Sequence, residues 1–220
     1  MFVLSCQNTR SNLLKFKTTI MKKLLLSTVL FIGLVSFSQE KLAKYNSLYF
    51  SKNFDISASK PDAKEEFSYY IDCSSKDSSS KQASLILKNK DVPEFVEFLN
   101  SIKETFNKWT ITAKENKVTE LDKNIDYKKL NYSAAFVYGK WNFDFSVNLT
   151  TRYKIINGKY LLIIDSDELQ SSSNQYIKSD GLRIVFSSVQ EIDELVNGLN
   201  INLVTDFYNK KNSQDDLFKK

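Results

Sequence analysis

The second half of the sequence repeats the pattern of the first, and this repeat limits the possible folds more strongly than any other feature. Three blocks of similar residues occur in the same order in both halves, and the second half carries two short insertions between them. The blocks are 53–57 with 142–146, 71–82 with 164–175, and 85–102 with 182–199. Because apolar and acidic residues match as well as serines, the repeat predicts two copies of one structural unit.

Alternation of apolar and polar residues predicts three strands in each copy, since period two is the signature of a half-buried strand. In the first copy Asp55 falls on the solvent side of such a strand, and Asp144 is its counterpart in the second copy. The residues expected to face the core at this point of the second copy are Phe143, Phe145, Val147 and Leu149. An additional strand is expected over 132–138.

Turn and capping residues place the remaining boundaries. Asn157-Gly158 lies between two strand-like runs and predicts a tight hairpin. Asp91 and Ser188 stand at the predicted N-caps of one helix in each copy. The second helix either ends at Gly198 or continues through Leu203 to Phe207, and we favour continuation.

The sequence therefore predicts an α+β fold of internally duplicated β-β-β-α units that form an antiparallel sheet with two helices packed on one face. The first copy, with its helix and linker, covers 39–131, and the second copy covers 132–208. Residues 209–220 are expected to be a polar tail. Two separate tandem domains are the alternative arrangement.

Residues 21–38 have the features of a secretory signal peptide. A basic start at Lys22 and Lys23 precedes an apolar run over 24–37, and small residues surround a cleavage site after Ser38. A membrane-spanning helix needs about 20 apolar residues, so this run favours cleavage over anchoring. We interpret residues 1–20 as the product of a misassigned upstream start. The protein is expected to be exported, either periplasmic or secreted, and to meet the membrane solely through the signal segment before cleavage.

The basic character of the whole chain belongs to the segment expected to be removed. Of 31 basic and 26 acidic residues, five basic residues and no acidic ones precede residue 39, so the rest of the chain is balanced in charge. A nucleic-acid-binding protein carries a basic surface on its folded part. We therefore expect no nucleic-acid partner.

The chain has no histidine, which excludes Ser-His-Asp and Cys-His catalysis and histidine-ligated zinc. Cys73 is the single cysteine after residue 38, so we expect a small buried side chain and no internal disulfide. The acidic residues Asp165, Asp167 and Glu168 lack the glycine and the further oxygen ligands of a calcium loop. No metal site and no cofactor are predicted.

Two kinds of candidate site residue remain. Asp72 and Asp165 occupy equivalent positions in the two copies, and a pair of carboxylates that share a proton can activate water. The residues that follow them differ from those of aspartic proteases, so an Asp that bonds a turn backbone is the competing interpretation. The serine segments supply hydroxyl and amide groups for ligand binding on loops. Their members are Ser78, Ser79, Ser80 and Gln82 in the first copy, and Ser171, Ser172, Ser173 and Gln175 in the second.

These observations favour an exported, non-catalytic binding or accessory module of the bacterial envelope. Its partner would be a small molecule, a glycan, a peptide or an envelope protein. One alternative is a histidine-free hydrolase that uses the Asp72 and Asp165 pair. Another is a structural subunit of an envelope complex, which would expose an apolar patch when isolated.

Overall fold

The computed structural model describes residues 39–78 and 81–216 of the chain. The predicted upstream segment 1–20, the predicted signal peptide 21–38, Ser79, Ser80 and residues 217–220 lie outside the described residues. The described residues form a sheet-dominated fold with three α-helices.

The elements follow one another in the order strands, long helix, strands, two helices. The first half contains β1 (Gln39–Ser47), β2 (Lys52–Ser59), β3 (Ser68–Ser75), β4 (Gln82–Lys88), a 3-10 turn (Asn89–Asp91) and α1 (Val92–Glu115). The second half contains β5 (Leu121–Asn124), β6 (Asn131–Tyr138), β7 (Lys140–Ile156), β8 (Lys159–Ser166), β9 (Leu169–Ser171), β10 (Asn174–Ser179), β11 (Leu182–Phe186), α2 (Val189–Gly198) and α3 (Ile201–Asp216).

Nine of the strands form one antiparallel sheet, which confirms the predicted α+β class and antiparallel pairing. Strand β4 pairs with β6, so the sheet runs continuously from the first half to the second, and the alternative of two separate domains is wrong. Strand β3 pairs with β4 along one edge, while β2 and β11 share its other edge. The path through β4, β6, β7, β8 and β11 therefore returns to β3, and six strands close into a ring.

Local sequence signals position several of these elements. Pro93 lies in the first turn of α1, although the side chain of Asp91 makes no capping hydrogen bond. Ser188 and Glu191 form a complete capping box at the start of α2. Asn157 and Gly158 adopt φ angles of 50° and 72°, as a type I′ hairpin turn requires, and they join β7 to β8.

The end of the chain differs from expectation in two respects. Helix α2 stops at Gly198, and α3 starts at Ile201, so the predicted continuous helix is wrong. A Cβ at Gly198 would collide with Cδ1 of Ile56, which shows how closely this turn approaches β2. Residues 209–216, expected to be a frayed polar tail, continue α3.

A β-bulge in β7 overturns the predicted facing of two aromatic residues. Tyr132 pairs with Val147 and Ala134 pairs with Asp144, so two residues of β7 lie opposite one residue of β6. The extra residue reverses the alternation of side chains along the strand. Val147 remains buried, but Phe143 and Phe145 are 40% and 66% exposed, whereas they were predicted to face the core.

Candidate functional site

The second serine segment lines an open groove, which we call the serine groove. The groove has a volume of about 610 Å³. Its lining residues are Asp144, Ser146, Glu168, Gln170, Ser171, Ser172, Ser173, Asn174 and Gln175. All four candidates that the sequence identified in this segment therefore lie along a single concave surface.

The groove forms where β7 loses one of its neighbours. Strand β8 pairs with β7 from residue 149 onward, and the β9–β10 hairpin lies beside the earlier part of the strand. The backbone N–H of Ser172 donates to the carbonyl oxygen of Phe143 at 2.8 Å. The hydroxyl of the buried Ser171 donates to Oδ1 of Asn142 at 3.2 Å. These bonds fix the hairpin against β7, while the 172–175 tip remains exposed to solvent.

The two carboxylates of the serine groove are already engaged with the protein. Asp144 accepts backbone N–H groups from Ser146 at 3.0 Å and from Gln170 at 2.8 Å. Glu168 accepts from Nζ of Lys178 at 2.6 Å. No lysine or arginine is among the lining residues of this described groove. The surface that faces a ligand is therefore one of hydroxyl, amide and acidic groups.

Asp77, directly before the first serine segment, lies against the base of the same hairpin. Oδ1 of Asp77 accepts the backbone N–H of Asp180 at 2.6 Å and the hydroxyl of Ser179 at 3.4 Å. Burial of Asp77 acts to raise its pKa, but these hydrogen bonds and the neighbouring Lys81 outweigh it and lower the pKa. Ser78 is absent from the lining of the described groove. Ser79 and Ser80 of this segment lie outside the described residues.

Gln82, the fourth candidate in the first copy, lines a separate cavity of about 100 Å³. Asp55 and Asp72 lie in the same cavity, on the neighbouring strands β2 and β3. Burial raises the pKa of Asp72, and the charge of Asp55 raises it further, while a 2.6 Å hydrogen bond from Ser84 opposes the shift. Asp55 in turn pairs with Lys41 at 2.5 Å. Each carboxylate here is held by a neighbouring strand.

Asp165 has an entirely different environment from Asp72. Its carboxylate accepts two hydrogen bonds from Arg183, at 2.7 and 2.8 Å, and one from Arg152 at 3.3 Å. The side chain is 8% exposed. Among the described residues no hydrogen bond joins Asp72 to Asp165, and Arg183 is the partner that faces Asp165 on β11. A carboxylate that bridges guanidinium groups on two neighbouring strands is suited to fixing those strands together.

Other nucleophile and metal chemistry finds little support in the described residues. Cys73 is buried, burial raises the pKa of its thiol, and its Sγ donates to the carbonyl oxygen of Ala83 at 3.4 Å. Within residues 39–78 and 81–216, no group of three or more cysteine or acidic side chains is arranged to hold a metal ion. No helix in this part of the chain is long and apolar enough to cross a membrane.

Sequence reasoning did not identify five residues that complete the serine groove. Asp144 was assigned to the solvent side of a strand, and Glu168 to an acidic cluster that lacks the ligands of a calcium loop. Ser146, Gln170 and Asn174 were not named as binding candidates. The β7 bulge and the β9–β10 hairpin bring them together. Their one signal in the sequence is the insertion between the serine segment and the third strand of the second copy.

Comparison with known proteins adds no functional assignment. No protein-family model matches the sequence, and neither curated proteins nor solved structures give a significant match. The case for function therefore depends on the geometry of the site.

Proposed function

We propose that this chain is an exported, non-catalytic binding module of the bacterial envelope and that the serine groove holds its ligand. The observation that carries the proposal is the common lining of one groove by Ser171, Ser172, Ser173 and Gln175. Binding residues are concentrated on loops that a rigid scaffold supports, and this hairpin is supported by β7.

The chemistry of the groove selects the ligand class. No lysine or arginine lines the described groove, and Lys178 beside it is already paired with Glu168, so the lining offers no cationic group to bind a phosphate-bearing or carboxylate ligand. Hydroxyl and amide groups at the exposed tip both donate and accept hydrogen bonds. We infer that the ligand is a neutral or amine-bearing hydroxylated molecule, such as a sugar or an amino sugar.

The N-terminal boundary of the compact unit supports the proposal of export. The compact unit that contains the described residues begins at Gln39, which is the residue after the predicted cleavage site. N-terminal sequencing of the protein from its own host tests this part of the proposal. A sequence that starts at Gln39 is expected, and one that starts before Leu24 would contradict export with cleavage.

We also infer that an internal duplication produced the chain. Strands β1 to β4 followed by α1 correspond in order to β6, β7, β8 and β11 followed by α2, with β9–β10 as an insertion. In this proposal α1 and α2 occupy equivalent positions on one face of the sheet. A 2.7 Å ion pair between Lys103 and Asp193 links the two helices. The β7 bulge then represents a divergence of the second copy.

Nuclear magnetic resonance titration tests the proposed ligand site. We expect glucosamine, N-acetylglucosamine or galactose to shift backbone amide signals within 168–175. Substitution of Ser172→Ala together with Gln175→Ala is expected to abolish these shifts, whereas Ser101→Ala, at an exposed serine on α1, is the matched control. If none of the three sugars shifts these signals, or if the double variant responds unchanged, the proposal is wrong.

A further inference from the structure

A second surface of the molecule exposes three aromatic side chains in a row. Trp141, Phe143 and Phe145 alternate along β7 and are 46%, 40% and 66% exposed. We call these three residues the aromatic ladder. They point away from the side of β7 that carries the buried Asn142 and the groove residue Asp144. The ladder is therefore distinct from the serine groove.

Two rings of the ladder, those of Phe143 and Phe145, are parallel to each other. Phe143 and Phe145 have ring centroids 6.4 Å apart, and their planes differ by 9°. With a rise of roughly 3.3 Å per strand residue, the ladder is about 13 Å long from Trp141 to Phe145. The ladder therefore presents exposed aromatic surface at intervals of two residues along one strand.

The strands beside the ladder supply small and polar side chains. Phe143 lies opposite Ala135 of β6, Ala135 lies opposite Ser84 of β4, and Ser84 donates to Asp72 of β3. Val137, opposite Trp141, is half-buried. Ala135 and Ser84 are themselves buried, so the exposed apolar strip is one side chain wide.

The exposed area of the aromatic ladder indicates whether its partner is another protein surface or a smaller molecule. An aromatic side chain has roughly 150–250 Å² of surface, so the exposed fractions of the ladder amount to about 300 Å². A stable protein interface buries about 800 Å² on each partner. A patch of this size is too small for a stable dimer, but it matches the contact area of a few sugar rings.

We infer that the aromatic ladder is a docking surface for a neutral polysaccharide chain. The apolar C–H faces of sugar rings stack on the rings of Trp141, Phe143 and Phe145. The inference is independent of the serine groove, since it depends on the opposite side of β7.

Affinity electrophoresis of the protein, expressed from its full sequence, tests this inference. We expect gels that contain laminarin, xylan or dextran to retard the wild-type protein for at least one polysaccharide. Phe143→Ala together with Phe145→Ala is expected to reduce the retardation at least tenfold. The matched control is Ile111→Ala, which removes an exposed apolar side chain from α1 and should leave retardation unchanged.

Fluorescence and sedimentation complete the test. Bound polysaccharide should protect Trp141 from acrylamide quenching, and Trp141→Ala should remove that protected fraction. The inference is overturned if no polysaccharide retards the wild-type protein or if the double variant is retarded equally. It is also overturned if the wild-type protein dimerises through the ladder, so that the double variant alone sediments as a monomer.

Discussion

Substitution of Asp165→Ala should destabilise the protein strongly, because this carboxylate joins three strands. Asp165 lies on β8, Arg183 on β11 and Arg152 on β7, and both arginines contact the same carboxylate. Removal of the carboxylate leaves two partly buried guanidinium groups without this partner. The contact between Arg152 and Asp122, at 3.4 Å, survives the substitution.

The expected loss of stability follows from how deeply the side chains of Asp165, Arg152 and Arg183 are buried. Loss of one partner from a fully buried ion pair costs about 3–5 kcal/mol, whereas an exposed pair contributes about 0–1 kcal/mol. Asp165 is 8% exposed and each arginine is 32% exposed, so the network lies between these limits. We expect Asp165→Ala to lower the free energy of unfolding by about 2–3 kcal/mol.

Urea unfolding at neutral pH measures this loss, with the slope against denaturant as the check for two-state behaviour. Arg183→Met should cost less, about 1–2 kcal/mol, because Arg152 still neutralises the carboxylate. Asp165→Asn keeps the shape of the side chain but loses its charge. Its free energy of unfolding should lie between those of the wild-type protein and Asp165→Ala. An Asp165→Ala variant as stable as the wild-type protein would refute the structural role of this carboxylate.

Three further predictions concern stability. Glu191→Ala removes the acceptor of the N–H groups of three backbone residues and should cost about 3 kcal/mol. Glu194→Ala, which loses one exposed bond, should cost under ~1 kcal/mol in the same urea assay. Gly181→Ala places a Cβ within 2.7 Å of a backbone oxygen at a φ of 121°, so it should cost at least ~3 kcal/mol. Gly158→Ala, in open space, should cost about 1–2 kcal/mol, and equal losses at the two glycines would contradict the packing argument. Asp72→Asn should be more stable than the wild-type protein at neutral pH, because burial raises the pKa of Asp72 in the folded state above that in the unfolded chain. Below the pKa of Asp72 in the unfolded chain the carboxyl is protonated in both states, so burial of its charge no longer costs stability. The higher melting temperature of Asp72→Asn should therefore disappear in acid. A higher melting temperature at every pH would contradict this reasoning.

Local chemistry explains why several elements could be predicted from the sequence. The Asn157-Gly158 turn requires positive φ angles that these two residues tolerate, so the hairpin is encoded within two positions. The capping box of Ser188 and Glu191 is likewise complete within four residues. Such signals do not depend on the rest of the fold.

Non-local packing explains what the sequence did not reveal. The β7 bulge depends on the register with β6, and it turns Phe143 and Phe145 outward although their counterparts Phe54 and Ile56 are buried. The break at Gly198 depends on its approach to Ile56 of β2. The pairing of Asp165 with Arg183 depends on which strands become neighbours. Alternation within a single strand carries none of this information.

Distance along the chain also separates the lining residues that the sequence suggested from those that it did not. Ser171, Ser172, Ser173 and Gln175 are adjacent in sequence, so one hairpin is enough to bring them together. Asp144 reaches the groove because the hairpin packs beside β7, a contact between residues far apart in the chain. Serine repetition identified the loop, and tertiary contacts supplied the other side of the groove.

A native mass spectrum of the protein purified from the envelope fraction of its own host tests the central claim most directly. The account predicts a processed chain that begins at Gln39 and carries a non-covalent hydroxylated ligand, which the Ser172→Ala and Gln175→Ala double variant lacks. A mass that retains residues 24–37 would contradict export with cleavage. A ligand held equally by the double variant, or no ligand after incubation with glucosamine, N-acetylglucosamine and galactose, would contradict the assignment of the serine groove.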